Sequence, residues 1–393
     1  MTADETRCAV EIDGNRFLKN YEEVKKCIPD NCRLMAVLKG NAYGHGAPEL
    51  AVHLEKYKED WIAVATLGEA LKIRQAGVTK DILILGYTSP LFAEELSDKH
   101  ITQTVISWRY GKELSRNVAK AGKKVSCHLA LDTGMSRIGL LAYGAQRENS
   151  MREAGELYQD PYLEIGGIFT HFSSAYGHEP EDESYTARQY ERFVSFCQEL
   201  KKKGIEPGLR HCCNSPSIIN YPQYALDMCR GGTLLFGFID QKEMRRPVDL
   251  KLVMRFRTIV TMIKEVEAGT AVSYNRTAVT DKRTRLAVLG AGWYDGYPRQ
   301  LGNRGRVLIR GREFPIIGKV CMDICMADIT GADDICEGDE VVLLGSQGDR
   351  EIPCRQLYEP LGVGPGSIGG GISERVPRIY KWDEGEEHVY GTL

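Results

Sequence analysis

A lysine, Lys39, closes the apolar run 34–38 and opens the glycine-punctuated segment GNAYGHG at 40–46. A lysine amine can form a Schiff base with a carbonyl once its surroundings lower its pKa enough to leave a nucleophilic fraction. Gly40, Gly44 and Gly46 would let backbone come close to a bulky ligand. If the run 34–38 is a barrel strand, Lys39 leaves its C-terminal end, the face where such folds place their active sites. A lone lysine beside a glycine-rich turn is more often a surface residue; the complete segment favours chemistry.

Other reactive types recur in short segments further on. Arg137 in DTGMSRIG can offer directed donors to a carboxylate, and the Met322 N–H in GKVCMD can add another. His171 ends an apolar stretch, FTHF, where an isolated histidine is more often a satisfied core group. HCCNS carries His211, Asn214 and Ser215, and DMCRGG carries Arg230 and Gly232. Hydroxyls such as Ser215 and Tyr43, with exposed backbone N–H groups at Gly232, can donate to phosphate oxygens. Tyr274 in AVSYNRTA would by itself be read as packing or interface. The 12 cysteines are scattered without the short paired spacing of a zinc site, so no metal is expected.

The elements that must position these residues follow from periodicity. Short apolar runs at 34–38, 61–65, 82–85, 103–107, 127–131, 165–170, 209–212 and 234–238 alternate with amphipathic stretches of helical spacing. About eight strand–helix units suit a closed (β/α)8 barrel of the TIM type, whose strands are buried on both faces; an open doubly wound sheet is the other reading. After about residue 250 the pattern changes to short β-branched runs between Gly, Asp and Arg turns, with one helical stretch near 354–361. We expect a barrel over 11–248 and a mainly β domain from 1–10 and 249–393; the strand-like stretch 8–12 could join either.

Composition sets the broad class. The 393 residues are 42% hydrophobic and 27% charged, with a formal net charge of -3, which gives no reason to expect a nucleic-acid or membrane partner. The N-terminal sequence lacks the pattern of a secretory signal, so a cytoplasmic enzyme is expected.

AVLKGNAYGHG, DTGMSRIG, GIFTHFSSA, HCCNS, DMCRGG, AVSYNRTA and GKVCMD occur in that order over nearly the whole chain. Together they resemble the alanine racemases, fold-type III pyridoxal-phosphate enzymes with an N-terminal barrel, a C-terminal β domain and a head-to-tail homodimer. The resemblance implies that pyridoxal 5'-phosphate is carried by Lys39. It also makes Lys39 and Tyr274, the latter from the other subunit, the two groups serving opposite faces of a small amino acid. It implies that Arg230 faces the pyridine nitrogen and that His171 stacks on the ring. Tyr43, Ser215 and Gly232 would bind phosphate, with Asn214 supporting the site, and Arg137 and Met322 would bind the substrate carboxylate.

Departures from the family pattern fall near the expected pocket, among them Lys319 where arginine is common and Ile324 where glutamine is common. Ala130 replaces a lysine that is often carbamylated to hold the recognition arginine. Trp293 stands in GWYDG where tyrosine is usual, and Gly366 in VGPGS takes the place of a tyrosine that helps bind phosphate and crowds the substrate side chain. The leading expectation is inversion of alanine, with serine or a broader range of amino acids as the alternative. A fold-type III decarboxylase and a non-catalytic cofactor-binding protein are the readings from other classes.

Overall fold

The computed structural model describes residues 6–239 and 244–382, and the backbone of a strand at Glu387–Tyr390. Eight parallel strands of the nine in the first sheet run in the spatial order Met228–Gly231, Arg33–Val37, Trp61–Val64, Ile82–Ile84, Ile101–Val105, Val125–Asp132, Leu163–Phe169 and Leu209–His211, and the short Leu140–Leu141 pairs beside Val125–Asp132. Two backbone bonds bridge the seam between the outer members: Asp227 N–H donates to Arg210 O at 3.1 Å and Arg230 N–H to Cys213 O at 3.0 Å. The sheet is thus a (β/α)8 barrel. Every residue of Trp61–Val64, Ile82–Ile84 and Ile101–Val105 is buried, as strands covered on both faces require. Outside them, helix Trp108–Lys120 turns Tyr110, Leu114 and Val118 inward at four-residue spacing.

Seven of the eight expected strands lie within a few residues of their apolar runs. The eighth does not: the run at 234–238 is not a strand, since Thr233–Phe236 is a 3-10 turn and the strand is Met228–Gly231. The apolar run is buried because it packs between the first helix and the Lys39 segment, where Phe236 stacks against Phe17 and His45. Burial of a short run does not distinguish a strand from a turn.

A ten-stranded sheet makes up the second domain, built around the long strand Met254–Val266. Strand Cys8–Asp13 lies between that strand, to which it is antiparallel, and Arg378–Lys381, to which it is parallel. The start of the chain is therefore woven into the second sheet before the barrel begins. Thr284–Leu289, Arg306–Ile309 and Glu340–Gln347 fall where the short β-branched runs were read. The two domains meet at the Lys39 segment: Tyr380 Oη donates to His45 O at 2.8 Å, and Arg378 Nε to Gly44 O at 3.1 Å. Among the described residues no helix is long and apolar enough to cross a membrane.

Candidate active site

Lys39 stands two residues beyond strand Arg33–Val37, at the C-terminal mouth of the barrel. From Gly40 to Gly44 every φ is positive, between 51 and 84°, so the backbone winds one left-handed turn. Ala42 N–H closes it onto Leu38 O at 2.7 Å and Gly44 N–H onto Gly40 O at 2.9 Å. Asn41, Ala42 and Tyr43 lack glycine's freedom, and such a conformation costs roughly 1–2 kcal/mol for each of them. The turn is held from outside: the Glu69 carboxylate accepts from Gly40 and Asn41, and Asn41 Oδ1 accepts from Ala47.

Around Lys39 the charges are mainly positive. Burial, Arg137 and Arg230 push its amine below the usual lysine range, while Glu69 acts in the opposite sense. Arg230, 3% exposed, spreads its donors over His211 Nδ1 (2.8 Å), His211 O, Thr170 O, Cys212 O and His171 Nδ1 (3.2 Å). No carboxylate pairs with Arg230 or Arg137 among the described residues. Burial brings the Arg230 guanidinium down to about 10, still protonated at neutrality. His171 is held well below its usual value by burial first, then by Arg230, Arg137 and Lys39, which places these three cations around one imidazole.

On the other side of the mouth, Gly232 N–H donates to Ser215 Oγ at 2.9 Å. A Cβ built on Gly232 would stand 2.8 Å from Tyr43 Oη and 3.5 Å from Ser215 Oγ, so this glycine leaves open a cradle rimmed by two hydroxyls and a backbone N–H. That donor set suits a phosphate, and Lys39, His171 and Arg230 border the same mouth; the residues fit pyridoxal phosphate. Asn214 serves the site indirectly. Its Oδ1 caps helix Ser215–Asn220, accepting from Ser217, while its Nδ2 donates to Phe172 O and lies 3.2 Å from His171 Nε2.

The DTGMSR segment is fixed by Asp132 Oδ1, which accepts from Gly134 and Ser136. Arg137 at its end is exposed and makes no hydrogen bond within the described chain. Buried Ala130, with Met135, Arg137, Phe169 and His171, lines a small cavity of about 10 Å³. Gly366, at the start of the short helix Gly366–Gly370, abuts this site as well: a Cβ there would stand 2.9 Å from Thr233 Cγ2 and 3.3 Å from Tyr43 Cδ1.

Two of the residues singled out from sequence stand apart from Lys39 within the single chain. Tyr274, 63% exposed, tops a turn in which Ser273, Asn275 and Arg276 all have positive φ, and its hydroxyl makes no hydrogen bond to the described chain. Met322 is 44% exposed in the neighbouring turn; Ser273 Oγ donates to Lys319 O, and Tyr294 N–H to Met322 O. The GWYDG loop backs that turn through buried Asp295, which pairs with Arg7 and Arg375, and Arg375 in turn pairs with Asp323. Sequence reasoning missed Glu69, although Thr66 and Glu69 in TLGE have the spacing of a capping box and do form one. It also missed His128, whose Nδ1 lies 2.9 Å from His211 Nε2; nothing in the sequence marks that pairing.

The family descriptions "Alanine racemase, N-terminal domain" and "Alanine racemase, C-terminal domain" match residues 12–240 and 253–380. The chain belongs to the alanine racemase family. Alanine racemase 2 of Caldanaerobacter subterraneus is 38% identical over 371 residues, covering 94% of each chain. The alanine racemase of Clostridium perfringens SM101 is likewise 38% identical over 372 residues, with 94% of each covered. Among solved structures, the alanine racemase of Clostridium difficile 630 superposes with a TM-score of 0.89 at 31% identity over 98% of both chains. A histidine racemase from Leuconostoc mesenteroides gives 0.84 at 26% identity, covering 97% of this chain and 100% of that one. Membership makes this protein an amino-acid racemase acting on a small amino acid and implies pyridoxal phosphate as its cofactor.

Proposed function

We propose that the protein interconverts L- and D-alanine, using Lys39 on one face of the substrate and Tyr274 of a partner subunit on the other. The observation that carries this reading is the convergence on one barrel mouth of Lys39, Arg137, His171 and Arg230 with the cradle of Tyr43, Ser215 and Gly232. When bound, pyridoxal phosphate supplies the electron sink that acidifies the substrate Cα. Lys39, with its amine pushed below the usual range, has a larger neutral fraction to accept a proton from Cα. Tyr274, exposed and free at its hydroxyl, is available to a neighbouring barrel in a head-to-tail homodimer. The Met322 N–H in the turn beside it would join Arg137 in holding the substrate carboxylate.

Arg230 gives its N–H groups to carbonyls and imidazoles and has no acidic proton to pass to a ring nitrogen. That favours reversible proton transfer over chemistry needing a stronger sink, such as decarboxylation. A broader substrate range is the second reading, favoured by Gly366 beside Tyr43 and by the likeness to a histidine racemase.

Incubating the protein and pyridoxal phosphate with single enantiomers of alanine, serine and histidine, then resolving the products, tests both readings. Inversion of alanine alone supports the narrow one, and inversion of serine or histidine the broad one. No inversion of any would overturn both. Lys39→Ala should abolish cofactor attachment and racemisation together; a variant that kept covalently bound cofactor would exclude Lys39 as the attachment point.

A further inference from the structure

Beyond the groups that touch cofactor or substrate, the left-handed turn after Lys39 needs something to hold it. Its first two N–H groups, at Gly40 and Asn41, precede the bonds the turn makes for itself. Both point at one oxygen of Glu69, at 2.6 and 3.2 Å. The other oxygen of the same carboxylate accepts from Ala65 at 2.8 Å and Thr66 at 3.3 Å. Ala65 follows strand Trp61–Val64, the parallel neighbour of the strand that leads to Lys39. One carboxylate therefore joins two adjacent strand ends at the barrel mouth through four backbone donors. Glu69 itself is fixed as the third residue of helix Leu67–Gln75, where its N–H donates to Thr66 Oγ1.

We propose that Glu69 is a positioning residue for Lys39: its carboxylate holds the left-handed turn and so sets where the lysine amine points. The proposal rests on the reading of Lys39 as the attachment lysine. Glu69 is also the carboxylate that acts on a lysine otherwise faced by Arg137, Arg230 and the neutral His171. It therefore opposes the cations around the amine as well as aiming it. A residue that only capped its own helix would do neither.

The test compares Glu69→Gln with Thr66→Ala, which removes the other half of the capping box and leaves the Gly40 and Asn41 contacts in place. In the cofactor-free protein, acetylation of Lys39 followed against pH by mass spectrometry reads the amine without any turnover. Glu69→Gln should move the labelling midpoint downwards, because the opposing anion is gone, whereas Thr66→Ala should leave it in place. In the loaded enzyme Glu69→Gln should lower kcat by about tenfold to a hundredfold, as for a misplaced reacting group, with a smaller change in KM. Glu69→Asp, which keeps the charge and shortens the reach, should restore the midpoint more fully than kcat, and it serves in the labelling assay if the glutamine variant does not fold. An unchanged midpoint and kcat in Glu69→Gln, or equal losses in Thr66→Ala, would overturn the proposal. The reading of Lys39 itself is decided separately by Lys39→Ala.

Discussion

Arg230 shows how much one buried side chain can dictate about its neighbours. An arginine only donates, so His211 and His171 must each present an unprotonated Nδ1 to it. His211 then carries its proton on Nε2 and donates to His128 Nδ1 at 2.9 Å. A second proton on any of these rings would set cation against cation beside the buried Arg230. Burial accordingly holds His128 at about 3, with Arg230 adding to the effect, and burial also holds His45 at about 3. The unfolded chain takes up these protons near pH 6.5 and the folded protein does not. Their contribution is thus present above about pH 6.5 and is lost as pH falls through that value toward the folded pKa values. We expect the urea unfolding midpoint to fall between pH 7 and pH 5, each buried imidazole contributing up to about 1.4 kcal/mol per pH unit below its unfolded pKa. A midpoint that stays level over that range would show that these imidazoles are not neutral in the folded state.

Among elements, the short helix Gly366–Gly370 and the Lys39 turn meet backbone to backbone. A Cβ on Gly44 would overlap Gly369 O, and one on Gly369 would overlap Tyr43 O. Gly40, with φ +62°, has nothing within 4 Å of its Cβ position. Gly369→Ala should therefore strain the contact by roughly 1–3 kcal/mol, the usual range for overpacking, and weaken cofactor retention with it. Gly40→Ala should lose only about 1 kcal/mol, the difference in left-handed preference. Thermal unfolding and cofactor release rates check the order of the two. The sequence revealed the glycines and the lysine but not this contact, because close approach depends on a partner more than 300 residues away. Seven barrel strands could be read because each lies in a short, largely apolar run between helical stretches. Met228–Gly231 could not, because Arg230, turned toward His211 and His171, and Gly231, against Leu34 and Leu235, interrupt the apolar run. Glu69 was missed: its capping-box spacing after Thr66 is visible in the sequence, but its reach to Gly40 joins a different strand end.

For the whole molecule, the question is what covers the surface around Tyr274. Trp293, Tyr294, Met322 and Ile324 are each at least 40% exposed and lie on turns bonded to one another: Trp293 N–H donates to Cys321 O, and Tyr294 N–H to Met322 O. On the barrel, Tyr87, Leu91 and Phe92 form a second exposed apolar group at 61, 80 and 50%. Large apolar side chains gathered beside polar turns mark a surface that associates. Two different patches on one chain suit a twofold dimer in which each patch meets the other on the partner. Such a dimer would bring Tyr274 of one chain to Lys39 of the other, and mixing subunits tests this directly. Lys39→Ala and Tyr274→Phe should each be inactive alone. Unfolded together in equal amounts and refolded, half of the randomly assorted dimers would be hybrids with one whole site each, restoring about one quarter of the wild-type specific activity. If each site drew both residues from its own chain, no hybrid would contain a whole site and the mixture would stay inactive.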